Sequence, residues 1–276
     1  MNSKQLSLQV LIAAMNQTDF SLIRNMNINA DCIMANQTNN TAGGDFEIQN
    51  HNVSVINSTL VGIGVNRNLA LDNAKSDIVL FADDDMVYAD NMAEGVLDAY
   101  TQNPKADVII FSCTETDSSG NVVMEYSHKK SRRLFANSLK YPTYVIAARR
   151  NKLKRKKVRF SSMFGAGSAY AFGEDTVFLA DCFKKRLRVY SSDFNIGTST
   201  KDLKWFDGYN DNFFFNKGAI YECIFGKLAP IVSIYYAKKY SKITGIPFKS
   251  IYKKIEEGTD DYKHKIKSNN MQSNGM

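Results

Sequence analysis

The chain has 276 residues, 44% hydrophobic and 12% aromatic, enough for one large buried core and too apolar for an intrinsically disordered segment. Its 35 Lys/Arg exceed 28 Asp/Glu by +7, a surplus that bears on partners rather than on fold. Four scattered cysteines without a CxxC pair, and three scattered histidines, argue against a disulfide framework or a His/Cys metal centre.

No apolar run approaches the roughly 18 residues of a membrane span, and Met1–Gln9 lacks the long apolar core of a signal peptide. No span and a cytosolic location are therefore expected. The charge is segregated along the chain: residues 1–128 carry −11, 129–159 carry +13 with no acidic residue, 160–226 carry −1 and 227–276 carry +6.

In chain order, Leu8 to Met15 reads as a buried strand, and Asn16 to Asp19 offers caps for a helix through Phe20, Leu22, Ile23 and Met26. Asp31 to Ala35 is a second apolar run, ending in a polar loop from Asn36 to Asp45 that the pair Gly43-Gly44 interrupts. Val53 to Ile56 makes a third strand, and a helix spans about Gly64 to Lys75 before the strand Ile78 to Ala82. A helix follows from about Asn91 to Gln102, then a strand Asp107 to Cys113, with Asp117 to Asn121 turning a hairpin into Val122 to Met124. The basic stretch 129–159 reads as a solvated loop. Thr176 to Lys185 is helical, the chain is loop-rich beyond Val189, and helical spacing returns at Ile224, Leu228, Ile231, Val232 and Tyr235. The last dozen residues are expected to fray. Alternating strands and helices predict a mostly parallel sheet with antiparallel excursions.

Two motifs carry chemistry. Asp83-Asp84-Asp85 follows an apolar strand at the end where open parallel sheets bind ligands, with no cation nearby in sequence. Were the strand to continue, Asp83 and Asp85 would share a face. Two carboxylates about 6 Å apart at an effective dielectric of about 20 repel by roughly 3 kcal/mol, so a dication such as Mg²⁺ or Mn²⁺ is expected to join them. Helix capping is the plain alternative for the triplet. The second motif, Gly62-Ile63-Gly64, opens like a dinucleotide fingerprint but carries Arg67 at the third glycine position, which removes that reading. Arg67 is open to pairing with a carboxylate or reaching a phosphate.

The order of strands and helices, with Gly64-Val65-Asn66-Arg67-Asn68-Leu69 and then Asp83-Asp84-Asp85, resembles family 2 glycosyltransferases of the GT-A fold over roughly residues 8–215. That resemblance implies an α/β fold with a mostly parallel mixed sheet flanked by helices, a GT-A domain over 1–222 and a basic helical tail over 223–276. It maps the nucleotide-contacting loop onto Ala13, Ala14 and Met15, with Arg67, Asp83 and Asp84 completing the donor site. Asp85, with Asp83, maps onto the ligands of a Mn²⁺ or Mg²⁺ ion. A Gly-rich loop, Gly165-Ala166-Gly167, followed by Glu174-Asp175 matches the family's acidic pair, with Asp175 as the general base of an inverting transfer. Where many relatives carry an Asp after the second strand this chain has Asn36-Gln37, and the stretch Asn195 to Thr200 lacks the histidine that often completes the metal shell. The implied partners are a UDP-sugar and a saccharide or lipid-linked acceptor in bacterial surface polysaccharide (capsule) assembly, with no nucleic acid.

Trp205 is open to stacking on a sugar or filling the core. The clusters at 149–157 and Lys238, Lys239 and Lys242 allow peripheral contact with the inner face of the membrane. A sugar nucleotidyltransferase is the alternative enzyme, disfavoured because Ala13-Ala14-Met15-Asn16 is not a Gly-rich basic loop. A noncatalytic polyanion- or membrane-binding protein is the alternative outside enzymes.

Overall fold

The computed structural model describes residues 5–39, 43–48, 50–126, 129–135, 138–200 and 207–273, with side chains to residue 268. Trp205 lies outside the described residues. The chain forms two compact units, Met1–Ser162 with Glu174–Leu203, and Met163–Gly173 with Lys204–Met276.

The first unit is built on one sheet. Its apolar runs become strands buried on both faces, the pattern of a parallel sheet covered by helices: β1 (Leu8–Met15), β2 (Asp31–Gln37), β4 (His51–Ser58) and β5 (Ile78–Asp83). These lie in the order β4-β2-β1-β5, all parallel. Between them run α1 (Ser21–Asn25) and α2 (Ile63–Asn73), and α3 (Met92–Gln102) follows β5. β7 (Val108–Thr116) and β8 (Val122–Tyr126) form the expected hairpin, with Asp117 accepting from the Ser119 and Asn121 amides across the turn.

Several elements differ from the sequence reading. The helix expected around Phe20 to Met26 is a five-residue turn, and the loop after β2 contains an edge strand, β3 (Gly44–Ile48), antiparallel to β4. The basic stretch is not one loop. It holds the short β9 (Ser131–Arg132), the buried β10 (Ile146–Arg149) between β5 and β7, and α4 (Arg150–Lys156), which buries only Leu153. The loop expected beyond Val189 is the 12-residue strand β11 (Val189–Thr200), parallel to β7 and antiparallel to the small β6 (Met86–Tyr88). Its Ser, Thr and Asn residues carry little apolar signal, and two register shifts against β7 break any alternation.

The second unit is helical. α5 (Glu174–Lys184) still belongs to the first, whereas α6 (Asp211–Phe225), α7 (Ala229–Thr244) and α8 (Phe248–Ser273) build the second around Phe214, Tyr221, Ala229, Ala237, Ile251 and Ile255. The boundary expected at residue 222 falls inside α6, and the aromatic run 213–215 is helical, with the Asn210 side chain accepting from the Phe213 amide. α6 and α8 touch through glycines: a Cβ on Gly218 would run into the Ile255 carbonyl, and one on Gly258 into that of Phe215. α8 runs to Ser273, into the tail expected to fray, whose last three residues lie outside the described residues. The expectation of no span is not tested by length and composition alone, by which residues Asp211–Thr244 are long and apolar enough to cross a membrane, with a mean hydropathy of 1.2.

Candidate active site

Ala13, Ala14 and Met15 end β1 where the sequence places them. Ala13 pairs with Asp83 on β5 and with Ala35 on β2, and Ala14 with Asn36, so three parallel strands finish at one edge. Asn66 holds this edge from α2, donating to the carbonyls of Ala14 (3.0 Å) and Ala35 (2.7 Å). Met15 is exposed, whereas Ala13 and Ala14 are buried and offer backbone rather than side chain. Asn36 is buried and occupied: it exchanges hydrogen bonds with the Gln17 backbone and donates to Asn57.

Arg67 is the centre of the site. Its side chain is 1% exposed, and it forks to three carboxylates: Asp83 at 2.6 Å, Glu174 at 3.3 Å and Asp175 at 3.3 Å. Burial opposes its charge, but Asp83, Asp175 and Glu174 outweigh that and hold the guanidinium protonated more firmly than an ordinary arginine. Of the two roles open to Arg67, the geometry provides carboxylate pairing; a side chain this enclosed has no face left for a phosphate. A cation beside Asp83 is therefore supplied within the chain by Arg67, delivered by α2.

Local packing makes that delivery possible. Gly64 lies where a Cβ would strike the Ser161 carbonyl, so α2 can approach the 160–161 backbone closely. Asn68 then clamps Phe160 by donating to its carbonyl (2.9 Å) and accepting from its amide (3.0 Å). The Phe160 ring lies 5.3 Å from the guanidinium of Arg67 and stacks on Phe178 at 4.2 Å.

The acidic triplet does not continue as a strand. β5 stops at Asp83, and Asp84-Asp85 turn the chain into β6, so the alternation expected to place Asp83 and Asp85 on one face does not apply. Ser199, on β11, donates to Asp85 at 3.2 Å, and the Thr200 amide donates to the Asp85 carbonyl at 3.1 Å. Although Asp85 is open to solvent at its tip, partial desolvation first and the charge of Asp83 second push its carboxyl up to about 6. Asp84 is raised by the same two causes.

Asp175 opens α5. Its side chain is 28% exposed, so it can be reached, yet burial, followed by the charge of Glu174, raises its carboxyl to about 7 against the opposing pull of Arg67. The Thr143 hydroxyl donates to Asp175, favouring the ionised form. A carboxylate poised near neutrality at the first turn of a helix, ringed by one cation and one hydroxyl, is suited to taking up a proton. The Gly165-Ala166-Gly167 loop is a closed turn in the helical unit, with the Gly165 amide donating to Tyr170.

Among the described residues no group of three or more His, Cys, Asp or Glu is arranged to hold a metal ion. The donor set fits a hard dication bound more sparingly. Asp85 has the Ser199 hydroxyl beside it, its carboxyl is raised in part by the charge of Asp83, and Mg²⁺ commonly uses one or two carboxylates plus substrate phosphates. Asp83, already bound to Arg67, is the lesser ligand of the two. Sequence reasoning missed Thr143, Ser199 and Phe160. Ser199 lies in the stretch where a histidine was sought, and only its hydroxyl-rich neighbourhood could have marked it.

Residues 37–173 match the family model described as "Glycosyl transferase family 2". No curated protein matches the sequence. Solved structures with a similar fold include S. aureus TarS 1-349 (TM-score 0.57, 15% identity, covering 80% of this chain and 66% of that one). Its complex with UDP-GlcNAc gives a TM-score of 0.59 at 15% identity over 80% and 67% of the two chains. S. aureus TarS gives 0.59 at 15% identity over 86% and 44%. This chain thus spans about two thirds of the TarS fragments and less than half of TarS. At such identity the likeness is one of fold.

Proposed function

Because the chain belongs to glycosyl transferase family 2 and has a GT-A-type fold, we propose that it moves a sugar from a nucleoside diphosphate donor to an acceptor hydroxyl with inversion. The observation that carries this reading is the single buried arginine tying the strand-end aspartate, Asp83, to the raised carboxylate Asp175. A uridine donor is supported by the TarS 1-349 complexes with UDP-GlcNAc and UDP.

The family resemblance supports the following roles, and the geometry is compatible with them. The backbone at Ala13, Ala14 and Met15 flanks the nucleotide, while Asp83 and Asp84 face the donor sugar. Asp85, aided by Asp83, would hold Mn²⁺ or Mg²⁺, which when bound neutralises charge on the departing diphosphate. Asp175 accepts the acceptor's hydroxyl proton as that oxygen forms its bond to the anomeric carbon and the bond to the diphosphate oxygen breaks. Arg67 holds both carboxylates in place without touching substrate. Attack opposite the leaving group inverts the anomeric centre. The acceptor we propose is a lipid-linked oligosaccharide of surface polysaccharide assembly, which would put the reaction at the inner face of the cell membrane.

The test is transfer from a panel of UDP-sugars with Mn²⁺, the product's anomeric configuration being read by NMR, alongside Asp175→Asn. That variant should bind UDP as the parent does and lose about 10² to 10⁴-fold in turnover; near-parental turnover would remove Asp175 as the base.

A further inference from the structure

We propose that the exposed face of α7 docks in the plane of an anionic lipid surface. The inference builds on the lipid-linked acceptor proposed above but draws on different residues. Leu228, Ile231 and Tyr235 are 59%, 68% and 63% exposed, and Ile234 and Ile243 are also open. Scattered apolar residues on a surface are ordinary, but positions 228, 231, 235, 238 and 242 step by three and four and so form one helical row. The opposite side of α7 is buried through the small residues Ala229, Ser233 and Ala237.

Charge selects the occupant. Residues 227–244 carry Lys227, Lys238, Lys239 and Lys242 and no acidic residue, all four lysines exposed. The neighbouring α8 differs: Lys254 pairs with Glu257 (3.0 Å), Lys263 with Asp260 (3.5 Å) and Lys265 with Asp261 (2.6 Å). Thus α8 offsets three of its six lysines with carboxylates of its own, whereas α7 presents an aliphatic and tyrosine row continued by lysines that form no ion pair among the described residues, the composition of an interfacial helix. An anionic headgroup layer matches both halves of that face; a neutral protein groove would match only the apolar half. A transmembrane course is disfavoured because the apolar stretch breaks at Gly226–Leu228 and α6 buries seven residues within its own unit.

The test is flotation of the full chain with vesicles of phosphatidylglycerol and phosphatidylcholine, against phosphatidylcholine alone. The chain should float with the anionic vesicles only and be released by about 1 M salt, where screening falls to about 3 Å. Ile231→Glu with Tyr235→Glu should abolish flotation, and Lys238→Ser with Lys242→Ser should weaken it by roughly fivefold per lysine, each with unchanged circular dichroism. Failure of the wild type to float, equal flotation on neutral vesicles, parental binding by either variant, or retention through an alkaline carbonate wash, which marks a span, would each overturn the proposal. Transfer to a soluble acceptor mimic, measured in parallel, separates this outcome from the catalytic one, because vesicle binding without transfer removes the function reading alone.

Discussion

Arg67 Nη2 lies 2.6 Å from Asp83 Oδ1 with the arginine closed to water, so the guanidinium cannot exchange this carboxylate for solvent. Removing one member of a buried pair strands the rest. Arg67→Leu should therefore destabilise the fold by about 3–5 kcal/mol, measured by urea unfolding. Arg67→Lys keeps the charge but cannot fork to three carboxylates, and should fall between the two.

The carboxyl of Asp175, raised to about 7, sets the acid limb of activity. Turnover should fall as pH drops through about 7, because the base must be ionised. Thr143→Val removes the hydroxyl that favours the carboxylate, so the limb should move up by about one unit while the rate recovers at higher pH. A purely structural role for Thr143 would instead lower the rate at every pH. Stability runs the other way: Asp175 titrates higher folded than unfolded, so its contribution is full below the ordinary carboxylate range and is lost as pH rises through about 7.

Asp85 competes for protons as well as for a dication. With its carboxyl raised to about 6, Mn²⁺ binding in the presence of UDP, followed by calorimetry, should weaken as pH falls through that value. Asp85→Asn should remove the dependence of turnover on added metal while leaving unfolding unchanged to within about 1 kcal/mol, since it loses only an exposed partner of Ser199. Asp83→Asn should cost stability too, through Arg67.

Gly64 is the position where α2 comes too close to the Ser161 carbonyl for any side chain. Gly64→Ala should push the helix out, cost about 1–3 kcal/mol and shift Arg67 off its carboxylates. A thermal melt and the transfer rate would fall together.

Much of this was legible in the sequence. Leu8–Met15 matched to the residue because a strand covered on both faces reads as a near-continuous apolar run, interrupted here only by Gln9, between polar neighbours. The end of β5 likewise announced Asp83 at the sheet edge. β11 was hidden by its Ser, Thr and Asn content, and β10 by the lysines and arginines that follow it. Thr143 and Ser199 could not be found by spacing, because they reach Asp175 and Asp85 from 32 and 114 residues away. For the acidic triplet the sequence offered both a dication and an Arg67–carboxylate pair, and the structure pairs Asp83 with Arg67, sixteen residues upstream.

The placement of β10 between β5 and β7 also governs how the protein must be made. A nascent chain emerging from the ribosome carries β5 with one bare flank until Ile146–Arg149 arrive, more than sixty residues later. During that interval the half-built sheet offers other chains a template for sticking. Release that stops short of Arg149 should yield insoluble product, and the template is fully covered only after Val189–Thr200 have paired with β7, so release beyond Thr200 should restore solubility.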